Sequence, residues 1–182
     1  GRRLGISDRR PAELKKLPLF AFDLIEDQIS DGDLCIQACA EDPQVALHAI
    51  RNLSRIGFGK VQVRWTQLGF GKTASTDRAT PTPRNLFGFK DGTANVMADD
   101  TDELATHVWV PQDAEPSWMA GGSYMVTRKI VMTIENWDRV NLTEQERIIG
   151  RTKGEGAPLS GGLEFTEPVF EAKNEDGTLS ID

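Results

Sequence analysis

The run Asn85-Leu86-Phe87-Gly88-Phe89-Lys90-Asp91-Gly92-Thr93-Ala94-Asn95 sets one carboxylate between two glycines, just behind a polar loop broken by prolines. Glycine on both sides suits a backbone that turns tightly or lets something large come close. A carboxylate on such a turn projects into a cavity at a fixed angle, so Asp91 is the first candidate for acid–base chemistry. The plainer alternative is a turn aspartate that bonds its own backbone. Other residues with chemical potential are Cys35 and Cys39, His48 and His107, and the acidic run Asp99-Asp100-Thr101-Asp102-Glu103. On a strand, both cysteines would point to one face but lie too far apart for a disulfide. They read as two small buried residues, and two cysteines alone do not make a zinc site. The histidines read as structural, and the acidic run as a solvated loop or helix start rather than an iron-attracting patch.

The elements that must position these groups follow from periodicity and punctuation. Leu34 to Ala40 reads as a strand, and Asp42-Pro43 then supplies an N-cap and a first-turn proline. Val45, Ala46, Ala49, Ile50, Leu53 and Ile56 form the apolar stripe of a helix that Gly57 closes. Lys60 to Leu68 alternates and reads as a second strand, which gives a strand-helix-strand unit ahead of a Gly-, Thr- and Pro-rich loop from Gly69 to Pro83. Further on, His107 to Val110 and Tyr124 to Ile134 read as strands. Thr143 and Glu146 form a capping box opening a short helix that Gly150 ends. Strands and helices in mixed order predict an α+β fold with helices packed on one face of antiparallel sheets.

Gly88-Phe89-Lys90-Asp91-Gly92 resembles the GxxDG signature of the dye-decolorizing (DyP-type) peroxidases, a haem peroxidase family. Gly121-Gly122-Ser123-Tyr124 followed by Arg128, then Trp137-Asp138-Arg139, Gly150-Arg151 and Gly156-Ala157-Pro158-Leu159 are similar to that family's exported deferrochelatase/peroxidase branch, in the same order. The resemblance runs from about Leu17 to about Phe170 and implies two ferredoxin-like domains with haem b between them. On that basis residues 1–68 are expected to be the end of the first domain, 69–105 a linker with the haem-pocket loop, and 106–182 the start of the second. The family's proximal His and distal Arg lie C-terminal to these blocks, and further sequence precedes them, so the chain is expected to be a central part of a larger protein. Neither histidine is expected to ligate iron, and Arg84, Arg128, Arg139 and Arg151 do not align with the distal Arg.

The resemblance implies that Asp91 takes a proton from one oxygen of hydrogen peroxide and delivers it to the other, while backbone at Gly92, Thr93 and Ala94 lies close against the haem. It also implies an organic or ferrous electron donor, iron release from haem, an iron permease as partner, a homo-oligomer and export; the alternatives are a haem- or iron-binding component of an iron-uptake system, or a fragment inactive for want of the proximal His. A carboxylate base in place of a histidine predicts oxidation favoured at acidic pH. Trp65, Trp109, Trp118, Trp137 and Tyr124 could relay oxidising equivalents, but core packing is the plainer expectation for each. With 182 residues, 38% of them hydrophobic, the chain is long enough for one or two cores. Its net charge of −7 argues against a nucleic-acid backbone as partner.

Overall fold

The structure is a computed structural model that describes residues 5, 7–69, 71 and 77–181. The chain divides into two units, one running to residue 75 and the other from residue 76. The expected boundary loop, 69–83, lies partly outside the described residues. No helix among the described residues is long and apolar enough to cross a membrane.

The first unit is built around helix α1, Pro43–Ile56. Its start is the expected one: the Asp42 side chain accepts from Gln44 N at 2.8 Å, satisfying one of the orphan N–H groups of the first turn, and Pro43 needs no such partner. Gly57 ends it, donating to Leu53 O at 3.1 Å; a Cβ there would sit 2.4 Å from Val61 Cγ2, so only glycine lets the chain double back at this point. The sheltered stripe is Ala46, Ile50 and Ser54, at four-residue spacing, whereas Val45, Leu53 and Ile56 of the expected apolar face stay exposed.

Neither expected strand beside α1 is formed: 34–40 and 60–68 carry no ladder among the described residues. Alternation of side chains prepares a segment for a sheet, but the ladder itself needs a neighbouring backbone in register. What holds this region is side-chain chemistry, with the Arg64 guanidinium donating to Asp27 O and Trp65 Nε1 donating to Asp31 O at 3.1 Å. Cys35 and Cys39 are therefore exposed free thiols rather than small buried residues.

The second unit carries helix α2, Thr101–Glu103, continued by a wider helical turn over Leu104–Val108, then α3, Ile134–Trp137, and α4, Leu142–Ile149. His107 thus lies in a helical turn and not in a strand, because the acidic run starts a helix: Arg78 grips Asp100 with two bonds of 2.7 and 2.9 Å just ahead of it. Of the expected strand His107–Val110 only Val110 pairs, exchanging backbone bonds with Gly122 and Gly121 at 2.9 and 3.0 Å. Tyr124 to Thr133 carries no ladder, and Ile134 begins α3. The cap of α4 is Asn141, whose side chain accepts from Glu144 N at 3.0 Å, in place of the expected Thr143 box. Glu146 is used elsewhere, accepting from Lys153 N at 2.7 Å. Gly150 closes α4 as expected, in the left-handed conformation with φ 77° and its N–H on Glu146 O at 2.7 Å.

The core of this unit collects Phe89, Met97, Trp137, Gln145, Ala157, Pro158 and Ile181. Core packing holds for Trp137, but Trp109, Trp118 and Tyr124 are exposed, which corrects the expectation for those three rings.

Candidate functional site

The turn that carries Asp91 is a hairpin closed by its own backbone. Asn85 N donates to Phe89 O at 2.9 Å and Asp91 N to Pro83 O at 2.8 Å, so Arg84 and Lys90 face each other across it. At the tip, Asn85 Oδ1 accepts from Phe87 N and Phe89 N at 3.0 and 3.3 Å. The local side-chain-to-backbone bonding that one reading assigned to Asp91 is made by Asn85 instead. Gly88 has φ +81° and Gly92 φ +127°, and an added Cβ would meet Lys153 Cε at 2.9 Å in the first case and Asn95 Nδ2 at 3.0 Å in the second. Left-handed backbone and crowding together call for glycine at both places.

The hairpin is fastened to the rest of the unit from three sides. Phe87 stacks on Trp137 with ring centroids 4.4 Å apart, Phe89 meets the same ring edge-on at 5.9 Å, and Trp137 Nε1 donates to Phe87 O at 3.2 Å. Trp137 is held in turn by buried Gln145, whose amide donates to Trp137 O and Val140 O at 3.0 Å each and accepts from Lys153 Nζ at 2.8 Å. That ammonium also lies 5.5 Å from the centre of the Phe89 ring. Arg84 supplies the second fastening, donating to Gly88 O at 2.7 Å within the hairpin and to Lys153 O and Gly154 O at 2.6 and 2.8 Å outside it.

Glu164 supplies the third. Lys90 Nζ pairs with its Oε2, while Thr82 Oγ1 donates to Oε1 and Thr93 Oγ1 reaches the same oxygen at 3.2 Å. Burial is the largest single influence on this carboxyl and pushes its pKa up. The Lys90 hydrogen bond and charge, with the bonds from the two threonines, outweigh it and hold the group below its ordinary value. Glu164 is itself fixed through its backbone, since Arg151 Nη1 donates to Glu164 O at 2.8 Å and to Gly156 O at 2.7 Å. Gly156 must be glycine for a neighbouring reason: a Cβ would fall 2.8 Å from Lys90 Cδ.

Within this frame Asp91 is exposed, and its carboxylate has no hydrogen-bond or ion-pair partner among the described residues although its N–H is firmly bonded. Gly92 and Thr93 are half-buried and Ala94 is exposed, with Asn95 N on Gly92 O at 3.0 Å closing a second turn over 92–95. The four residues singled out from the sequence therefore form one continuous ledge. Within this unit His107 lies 3.5 Å from Glu103 on the next helical turn, and His48 is on α1 of the first unit. Among the described residues no three His, Cys, Asp or Glu side chains are grouped to hold a metal ion. A concavity of about 620 Å³ lined by Ser54 and residues 58–63 lies in the first unit and includes none of these residues; the candidate acid–base group is Asp91, where glycine geometry coincides with a carboxylate that is unpaired among the described residues.

Sequence reading missed the supports. Lys90 lies inside the signature and Arg151 and Gly156 inside quoted blocks, so their presence was visible but not their task. Glu164, 74 residues from its partner Lys90, carries no local signal.

Two family models match the chain, Dyp-type peroxidase, N-terminal, over residues 2–71 and Dyp-type peroxidase, C-terminal, over residues 82–179. The chain is 38% identical over 179 residues to a deferrochelatase of Yersinia pestis and 36% identical over 182 residues to that of Escherichia coli strain K12. These matches cover 97% and 99% of this chain but 41% and 43% of the relatives, so the chain spans about two-fifths of their length. Among solved structures, a DyP-type peroxidase from Streptomyces coelicolor aligns with a TM-score of 0.84 at 39% identity, covering 97% of this chain and 48% of that one. An oxyferrous complex of DtpA from Streptomyces lividans aligns with a TM-score of 0.83 at 39% identity and the same coverage. The path of the chain is thus the α+β fold expected from its pattern, ferredoxin-like as the resemblance implied, although its expected strands form no ladders among the described residues.

Proposed function

The chain belongs to the Dyp-type peroxidase family, and on that premise we propose that the whole protein binds haem b and reduces hydrogen peroxide at the expense of an organic or ferrous donor, with Asp91 as its acid–base group. The observation that carries this reading is a carboxylate whose backbone is locked by the hairpin while its oxygens have no partner among the described residues. A surface aspartate of no consequence would need neither the two left-handed glycines nor the three fastenings behind them.

The residues present suit the group. Gly92 has no side chain, Ala94 has only a methyl, and Thr93 turns its hydroxyl to Glu164, so the ledge offers backbone to a large flat ligand with little in the way. Gly92, Thr93 and Ala94 would hold the haem on this side, and Asp91 would face the substrate beside it. Haem, when bound, supplies the iron, the two electrons of the reaction and the acceptor for the oxygen left behind. Asp91 Oδ would accept the proton of one peroxide oxygen and return it to the other, which would leave as water. No iron ligand is assigned to His48 or His107.

Asp91→Asn in the whole haem-loaded protein keeps size and polarity but removes the proton acceptor. It is expected to lower the rate constant for reaction with peroxide by roughly 10² to 10⁴ while the Soret band still reports bound haem; an unchanged rate would remove Asp91 from the chemistry. The carboxylate base also supports activity favoured at acidic pH.

The name deferrochelatase carried by relatives supports a second reading, removal of iron from haem. Iron-free porphyrin after haem loading would favour it, and oxidised donor with intact haem would favour peroxidase turnover. The sequence resemblance further supports export, a homo-oligomer and service to an iron permease.

A further inference from the structure

Among the described residues the Asp91 side chain has no partner, so its aim is set through its backbone. That backbone is bracketed by the three residues that converge on Glu164: Lys90 immediately before Asp91, Thr93 two residues after it, and Thr82 on the opposite arm, next to the Pro83 carbonyl that accepts the Asp91 N–H. Oε2 takes Lys90 and Oε1 takes both threonines, so one planar carboxylate is pinned at both oxygens and pins three points around the turn. The pair is sheltered, with the Lys90 side chain 20% and the Glu164 side chain 14% exposed, and the lysine stem lies against Gly156, where a Cβ would collide with it. Arg151 holds the Glu164 backbone from behind.

We propose that Glu164 is the positioning residue of Asp91: it fixes the turn from beneath, through Lys90, Thr82 and Thr93, and so sets where the Asp91 carboxylate stands. The proposal rests on the acid–base reading of Asp91 and extends it to a residue outside the signature. A salt bridge this sheltered is poorly explained as a stability device alone, since replacing such a pair by apolar side chains is often neutral or favourable. Its use lies in geometry, for an acid–base group displaced by about an ångström loses on the order of 10²-fold in rate.

The test is Glu164→Gln in the whole protein, with two readouts. In the haem-loaded protein the rate constant for peroxide is expected to fall on the order of 10²-fold with the KM for the donor unchanged. In the haem-free protein, hydrogen exchange at the Asp91 and Asn95 amides is expected to quicken, while the Val110 amide, bonded to Gly122 O elsewhere in the unit, keeps its protection. Lys90→Arg, which preserves the charge, should retain the rate that Lys90→Gln loses. Should Glu164→Gln fail to fold, Thr82→Val removes one bond without stranding a charge, and a several-fold fall in rate with faster Asp91 exchange is expected. Wild-type rate and wild-type Asp91 exchange in a folded Glu164→Gln or Thr82→Val protein would overturn the proposal, as would equal loosening of Val110. A wild-type rate in Asp91→Asn would instead overturn the acid–base reading, and the exchange data would still decide whether Glu164 holds the turn.

Discussion

Residues 34–68 and residues 82–164 are both rich in apolar side chains, yet only the second region buries any of them fully. In the first, Leu34, Val61, Val63 and Phe58 are 76%, 49%, 53% and 89% exposed. In the second, Phe89 is 2% exposed, Met97 5% and Trp137 9%. The difference lies in how each closes. A hairpin with its glycines, an arginine staple and a half-buried ion pair completes its bonding among residues 82–164. A strand-helix-strand pattern does not, because each strand needs a ladder partner on at least one side. The self-closing region is also the one that carries Asp91, so the proposed acid–base group stands on a part of the chain that completes its own bonding.

The sharpest way to break this comparison is to truncate one apolar residue in each region. Phe89→Ala empties a site against Trp137 and Lys153 and is expected to cost about 3–5 kcal/mol in urea unfolding of the chain. Leu34→Ala removes a side chain already in water and is expected to change stability by less than about 0.5 kcal/mol. Comparable costs would mean that Leu34 is covered after all.

The same contrast explains what could be read without coordinates. Helix α1 was legible from end to end, because Asp42, Pro43 and Gly57 each act on their own neighbours. Gly150 was legible for the same reason. The Thr143 box was not, since Asn141 two residues earlier serves as well and leaves Glu146 free to bond Lys153 N. His107 was misplaced because a strand of four residues and the last turn of a helix look alike by alternation, and the Arg78–Asp100 grip that starts the helix spans 22 residues. At the candidate site, Asp91, Gly92, Thr93 and Ala94 sit within one motif and could be read together, whereas Glu164 bonds Lys90 from 74 residues away and could only be seen in three dimensions.

Caps offer a smaller contrast, because a cap acts locally whether or not a core surrounds it. Asn141→Ala and Asp42→Ala each remove one side-chain acceptor from a helix N-terminus, at a cost of about 1 kcal/mol. In α4, packed through Gln145 into the core, that cost is expected to appear in urea unfolding. In α1, which buries no residue fully, it is expected to appear as lost helicity in far-ultraviolet circular dichroism. A fall in urea stability with Asp42→Ala equal to that with Asn141→Ala would show α1 to be held as firmly as α4.

The gentlest test leaves every contact in place and changes only pH. The Glu164 carboxyl is held below its ordinary value of 4.5, so between 4.5 and its lower folded value the unfolded chain binds a proton that the folded chain refuses. Stability therefore rises with pH across that window: the contribution of Glu164 is fully present above it and is lost as pH falls through the folded pKa. Glu164→Gln has no such proton to bind, so its stability curve is expected to be flatter than that of the wild type over the same window, even though it lies lower at neutral pH. Parallel curves would mean that Lys90 and the two threonines do not stabilise the charged carboxylate, and the hairpin under Asp91 would then have to be held by the Arg84 staple and the Phe89–Trp137 packing alone.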